Sequence, residues 1–166
     1  MKRILTIALA ALLLSSCGIY SFSGTSIQPD VQSITIDFFE NKALKVNPTL
    51  SNDITEALRE KFRRMTRLEQ TDMAGDLEIS GEITGYDVSA TAITADEVAA
   101  KNRLNVSVKV NFTNNKYPED NFSDKTFSAY ADFDATRLLA EVEADLCTEI
   151  IDKINEDIFN ATVAQW

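Results

Sequence analysis

Arg103-Leu104-Asn105-Val106-Ser107-Val108-Lys109-Val110-Asn111-Phe112 alternates apolar and polar residues over its length. A period of two puts Leu104, Val106, Val108, Val110 and Phe112 on one side of an extended chain. Asn105, Ser107, Lys109 and Asn111 fall on the other. Such a strand buries one face and wets the other, so it belongs to a sheet covered on one side. Thr126–Phe133 repeats the alternation after Asn114–Asn121, a turn-rich link with Asn114-Asn115 and Pro118. Upstream, Leu77, Ile79, Gly81, Ile83 and Gly85 mark another strand, its glycines signalling bends or close backbone approach. Ile34, Ile36 and Phe38 give a fourth within Ser33–Phe39. Asp87–Lys101 reads as part strand and part loop.

Two helical stripes complete the pattern. Asn47-Pro48 opens the first, with Asn47 as cap and Pro48 in the first turn. Leu50, Ile54, Ala57, Leu58, Phe62 and Met65 follow on one face, and the helix ends near Arg67. The second runs from about Thr136 to Ala164, with Leu139, Val142, Leu146, Ile150, Ile154 and Ile158 on its apolar side. Glu141, Glu143, Asp145, Glu149, Asp152, Glu156 and Asp157 occupy the opposite side. The order β-α-β-β-β-α predicts an α+β two-layer sandwich: a four-stranded mixed sheet covered on one face by two helices. The last three strands should be antiparallel neighbours, and the first should join in parallel through the helical crossover.

The amino terminus speaks to compartment. Lys2 and Arg3 precede Ile4–Leu14, an apolar run of 11 residues broken only by Thr6. That core is too short to span a bilayer and has the order of a secretory signal. Leu14-Ser15-Ser16-Cys17 looks like a lipobox, which predicts cleavage before Cys17 and lipid on its thiol. The alternative is an ordinary signal that ends by chance on a cysteine. The division expected is therefore a signal peptide over 1–16, a lipidated tether over 17–30 and one domain over 31–166. Gly18-Ile19-Tyr20-Ser21 holds no acidic residue, so the outer membrane's periplasmic leaflet is the expected address. Several acyl chains on one cysteine suffice for a stable anchor.

From Cys17 onward the chain has 150 residues, enough for a single core. Without Lys2 and Arg3, 14 basic residues face 26 acidic ones, a net charge of −12. A phosphate backbone demands the opposite balance, so nucleic acid is excluded as a partner. No histidine is present, which removes the usual general base and most transition-metal sites. Gly81 and Gly85 do not form a phosphate loop. Glu119-Asp120 and Glu156-Asp157 read as solvated pairs. Cys147 reads as a small core residue with no partner for a disulfide. No enzyme, cofactor or metal is expected.

A resemblance covers the whole chain after the signal. It is carried by Cys17-Gly18-Ile19-Tyr20-Ser21-Phe22-Ser23-Gly24, Ile34-Thr35-Ile36-Asp37-Phe38-Phe39-Glu40-Asn41 and Asn47-Pro48-Thr49-Leu50-Ser51. Gly75-Asp76-Leu77 through Gly81-Glu82-Ile83-Thr84-Gly85-Tyr86, then Arg103–Phe112 and Phe127–Phe133, continue it, and Asp157-Ile158-Phe159-Asn160 up to Trp166 closes it. In this order the segments resemble the LptE family of lipopolysaccharide-assembly lipoproteins. The resemblance implies a partner: an outer-membrane β-barrel, LptD, in which such proteins sit as a plug and aid assembly. It also implies contact with lipopolysaccharide through basic residues. The net acidity departs from that picture, but the charge is segregated. Asn41–Arg67 holds seven basic and three acidic residues, whereas Tyr117–Trp166 holds three and twelve.

The candidates for phosphorylated sugar are therefore Arg59, Lys61, Arg63, Arg64 and Arg67. Their alternative role is a cationic helix end that favours its dipole. Lys101 and Arg103 form a second candidate, with a charge-guarded strand edge as the alternative. Ile34–Asn41 also resembles the opening strand of periplasmic lipoproteins that activate peptidoglycan synthases or build secretion pores. Those carry longer α/β domains.

Overall fold

The computed structural model describes residues 27–45, 47–91 and 100–164. The strands are β1 (Ser33–Ile36), β2 (Glu40–Asn41), β3 (Glu69–Gln70), β4 (Leu77–Ala90), β5 (Lys101–Asn114) and β6 (Phe122–Asp134). The helices are α1 (Leu50–Met65) and α2 (Leu139–Thr162), with a single 3-10 turn at Pro118–Asp120. The sheet runs β3-β1-β4-β5-β6, and β2 also pairs with β4. It has six strands rather than the four expected, because the two-residue strands β2 and β3 join it. As expected, β4, β5 and β6 are antiparallel neighbours and β1 is parallel to β4.

The alternation that defines β5 holds throughout. Leu104, Val106, Val108 and Val110 are fully buried and Phe112 nearly so, in the strand flanked on both sides. Burying each such side chain is worth about 1.5–3 kcal/mol. Phe127, Ala129, Ala131 and Phe133 continue this inner face on β6. The outer face carries Asn105, Asn111 and Ser128, all exposed, and Ser107, whose Oγ lies 2.9 Å from that of Ser128. Neither described helix covers that face.

The first strand is shorter than its sequence predicts. Ile36 pairs with Ile79 and Glu40 with Glu82, so four steps on one strand match three on the other. The extra residue is a bulge, and a bulge exchanges the faces of everything beyond it. Phe38, expected inside, is 54% exposed, and Phe39 is fully buried instead. Thr55 Oγ1 accepts the Phe39 N–H at 3.1 Å and donates to the Ser51 carbonyl at 2.7 Å. The bulge is thereby tied to α1.

Helix α1 starts two residues later than expected, at Leu50 instead of Pro48. Asn47 nonetheless supplies the capping oxygen: its Oδ1 accepts the N–H groups of Thr49 and Leu50 at 3.0 and 3.2 Å. Leu50, Ile54, Leu58 and Phe62 form the fully buried stripe. Met65, assigned to that stripe, is 48% exposed, since the helix ends there and Thr66 turns back to bond the Phe62 carbonyl. Helix α2 begins at Leu139, after Asp134 Oδ1 has captured the Thr136 N–H and hydroxyl. It packs on the inner face beside α1, where Phe62 and Phe159 meet edge-to-face at 5.1 Å.

The described chain enters at Ile27, which packs beside Leu77, Phe112 and Val163. That is the end of the sheet at which β4 starts and β5 finishes.

Candidate functional site

The basic residues of α1 do not behave alike. Arg59 is the most engaged: Nη2 and Nε donate to the Ile36 carbonyl at 2.7 and 3.2 Å, and Nη1 pairs with Glu56 at 2.7 Å. The Gln32 and Ile34 carbonyls receive N–H groups from the β3 side, from Glu69 and Thr71. The Ile36 carbonyl, two residues on, faces the same way. Arg59 therefore continues the work of β3 where that strand has ended.

Lys61 pairs with Glu156 of α2 and keeps only 16% of its side chain exposed, so it joins the helices. The same contact holds the Glu156 carboxyl below its usual range. Arg63 pairs with Glu60 and reaches toward Gln70 at 3.4 Å, yet stays 62% exposed. Arg64 and Arg67 are exposed, and neither makes an ion pair among the described residues. Arg59 and Arg63 share a recess of about 230 Å³ with Gln70, Thr71 and Asp72. The outward-facing charge of this group is thus Arg63, Arg64 and Arg67.

Lys101 and Arg103 lie elsewhere. They stand at the start of β5, on the sheet end away from Ile27, and Arg103 shares its cross-strand row with Ser89 and Asp132. Because β5 lies between β4 and β6, no strand edge is there to guard. Arg103 grips Asp132 in a two-pronged ion pair, Nε to Oδ1 at 2.7 Å and Nη2 to Oδ2 at 3.0 Å. Its guanidinium stacks 3.6 Å from the centre of the Tyr130 ring. The Arg103 hydrogen bond holds the Asp132 carboxyl well below the usual range. The two basic groups do not form one patch.

Glu143 was expected on the solvent side of α2 but turns inward. Tyr86 Oη donates to its Oε1, and Asn47 Nδ2 donates to the same oxygen at 3.0 Å and lies 3.8 Å from Cys147 Sγ. Burial, with the Glu143 bond second, pushes the Tyr86 hydroxyl above its normal range. Burial likewise pushes the Cys147 thiol up to about 11, so it stays protonated and unreactive. This network ties β4, the α1 cap and α2 together.

Among the described residues no cluster of three potential ligands could hold a metal. No described helix is long and apolar enough to cross a membrane. The signal segment, Cys17 and most of the expected tether lie outside the described residues.

A family model described as LptE, lipopolysaccharide-assembly, matches residues 31–162. The chain belongs to the LptE family. Its resemblance, carried by scattered segments, thus holds over the domain as a whole. Comparison with curated proteins finds no match. Among solved structures, hypothetical protein CT253 of Chlamydia trachomatis is similar with a TM-score of 0.53 at 7% identity, covering 80% of this chain and 98% of that one. A minor lipoprotein of Acinetobacter baumannii reaches a TM-score of 0.47 at 10% identity, covering 77% and 89%. At such identities the likeness to CT253 shows a shared fold and nothing further.

Sequence reasoning missed the LptE-family domain's longest open edge. Among the described residues, strand β6 has β5 on one side and no strand on the other. Sequence alternation tells inside from outside, but not which strand lies last in the sheet.

Proposed function

We propose that this LptE-family chain is an outer-membrane lipoprotein, anchored through Cys17, that associates with an LptD-like β-barrel. In this reading it serves as plug and assembly factor and helps pass lipopolysaccharide to the cell surface. The observation that carries it is the family match over 31–162. The open sheet face lends support: its exposed Asn105, Asn111 and Ser128 form a hydrogen-bonding surface of the kind that suits a polar barrel lumen. The role is one of binding and assembly, not catalysis. Lipopolysaccharide contact falls to Arg63, Arg64 and Arg67, whose charge faces outward. Arg59, Lys61 and Arg103 are held in contacts within the domain, and Lys101 accompanies Arg103.

The test is a tagged full-length chain captured from detergent-solubilised membranes. A large β-barrel recovered in equal amount is the expected result. Recovery of a peptidoglycan synthase without a barrel would overturn the reading in favour of an activator lipoprotein.

A further inference from the structure

The sheet ends very differently on its two sides. At the β1 side, β3 is only two residues long, and Arg59 covers the next carbonyl, that of Ile36. At the other side stands β6, 13 residues long with no strand beyond it among the described residues. Beyond an irregularity at Asp124, where φ is 54°, the run from Lys125 to Asp134 keeps an unbroken register with β5, and such an edge is a template for another extended chain unless something blocks it.

The backbone groups that face outward from β6 can be identified. Lys153 Nζ, reaching from α2, donates to the Tyr130 carbonyl at 3.1 Å, so that carbonyl points away from β5. Within a strand the N–H and C=O of one residue share a side, and alternate residues alternate sides. Ser128, Tyr130 and Asp132 therefore offer their N–H and C=O groups to the open edge. Phe127, Ala129, Ala131 and Phe133 turn theirs toward β5 and their side chains into the core. Among the described residues, Lys153 is the side chain that bonds an outward carbonyl here, and it also pairs with Glu149 at 2.6 Å.

Beside this edge lies an open recess of about 610 Å³, between β6 and the flank of α2. Its charged lining is Asp152, Lys153, Glu156 and Asp157. Glu156 is satisfied by Lys61. Asp152 and Asp157 are exposed and make no ion pair among the described residues. A strand laid along β6 would turn alternate side chains over this acidic flank.

We propose that the β6 edge and the acidic flank of α2 form a docking surface for an extended, basic polypeptide segment of a partner, which adds to the sheet as a further strand. Main-chain bonds to Ser128, Tyr130 and Asp132 supply the pairing. Lysine or arginine at alternate positions meets Asp152 and Asp157 and selects the segment. A second copy of this chain is a poor occupant, because two such edges bring like charges together. Lys153 acts as a gate that must leave the Tyr130 carbonyl before a strand can pair there. The inference goes beyond the barrel reading and does not depend on it.

The test uses the full chain purified from membranes in detergent. The probe is a dye-labelled ten-residue peptide of alternating lysine and threonine, with a glutamate–threonine peptide as control. The lysine peptide should bind and slow amide exchange at Ser128, Tyr130 and Asp132 at least tenfold. Ser128→Pro removes an edge N–H without touching the β5 ladder and should weaken binding at least tenfold. Asp152→Lys with Asp157→Lys should do the same, and Lys153→Ala should tighten binding several-fold. Full-strength binding by folded Ser128→Pro would overturn the proposal. So would peptide-induced protection confined to α2, which marks ionic adhesion alone. Should Ser128→Pro fail to fold, the exchange pattern of the wild type decides by itself. Self-association that the peptide cannot displace, mapped to the same amides, would make the occupant a second copy and also overturn it.

Discussion

Phe39 lies over Gly81 so closely that a Cβ on residue 81 would come 2.5 Å from Phe39 Cε1 and 2.8 Å from the Lys109 carbonyl oxygen. The glycine is what allows the bulged segment to fold its ring onto β4. Gly81→Ala should cost about 1–3 kcal/mol, the range for overpacking a filled core. Phe39→Ala should cost about 3–5 kcal/mol. The double variant should lose less than the sum, because the added methyl then enters the space left by the ring. Urea unfolding of the four chains measures this, and strict additivity would show that the two sites do not touch.

Val108 sits fully buried in the central strand, and Asn105 is exposed on the opposite face. Val108→Asp should cost more than about 4 kcal/mol, since an unpaired charge enters the core. Asn105→Asp should cost under about 1 kcal/mol even though Asp87 pairs across from it. Thermal melts of the two proteins check the strand's inside and outside directly; equal midpoints would invert them.

Asp76 closes the start of β1. Its Oδ2 accepts the Gln32 and Ser33 N–H groups at 2.7 and 3.1 Å, and Oδ1 lies 3.3 Å from Lys116 Nζ. The Gln32 backbone bond leads in holding its carboxyl below the ordinary 3.8. A carboxyl depressed on folding stabilises the native state above its unfolded pKa and loses that contribution as pH falls through the folded value. Part of the acid unfolding below about pH 4 should therefore come from Asp76. In Asp76→Asn, stability at pH 7 should drop while its decline between pH 4 and 2 becomes shallower. An unchanged acid limb would remove Asp76 from that role.

Arg64 and Arg67 carry exposed charge beside Arg63, away from the buried stripe of α1. Exchanging Arg63 and Arg64 for Glu should reduce lipopolysaccharide capture several-fold and leave the melting curve nearly unaltered. Adding Arg67→Glu should deepen the loss. The difference from wild type should shrink as salt rises, because such contacts are screened within about 8 Å at physiological ionic strength. Undiminished capture by the folded triple variant would leave these arginines with the dipole of α1 alone.

Cys17→Ala tests the anchor. The variant should accumulate as an uncleaved or misplaced precursor, because no other residue in the segment offers a thiol. Membrane fractionation that finds it mature and still in the outer membrane would sink the lipoprotein reading.

The sequence announced β5 plainly, because five inward residues and their polar neighbours keep one period. Phe38-Phe39 could not be read the same way. Two adjacent aromatics satisfy either face, and only the Phe39 contact with Gly81 decides between them. Glu40-Asn41 and Glu69-Gln70 carry no apolar signal at all, so β2 and β3 exist through pairing with neighbours and not through their own pattern. The charge segregation singled out the basic residues on and just beyond α1. It could not tell that Arg59 and Lys61 are occupied, since their acceptors, the Ile36 carbonyl and Glu156, are 23 and 95 residues away in sequence. Glu143 misled for a related reason: helical spacing alone does not reveal that Tyr86 and Asn47 wait on the inner side.

Where the chain enters has a consequence for depth. Ile27 lies at the end where β4 begins, and β4 and β5 run 14 residues each to the opposite end. At about 3.3 Å per residue the sheet reaches on the order of 45 Å from one end to the other. With Cys17 lipidated as proposed, the near end is the one joined to the anchor, and Arg103, Asp132 and the start of α2 lie at the end of the sheet away from Ile27. A partner that meets both ends must span that length of sheet, whether it does so inside a barrel lumen or beside it.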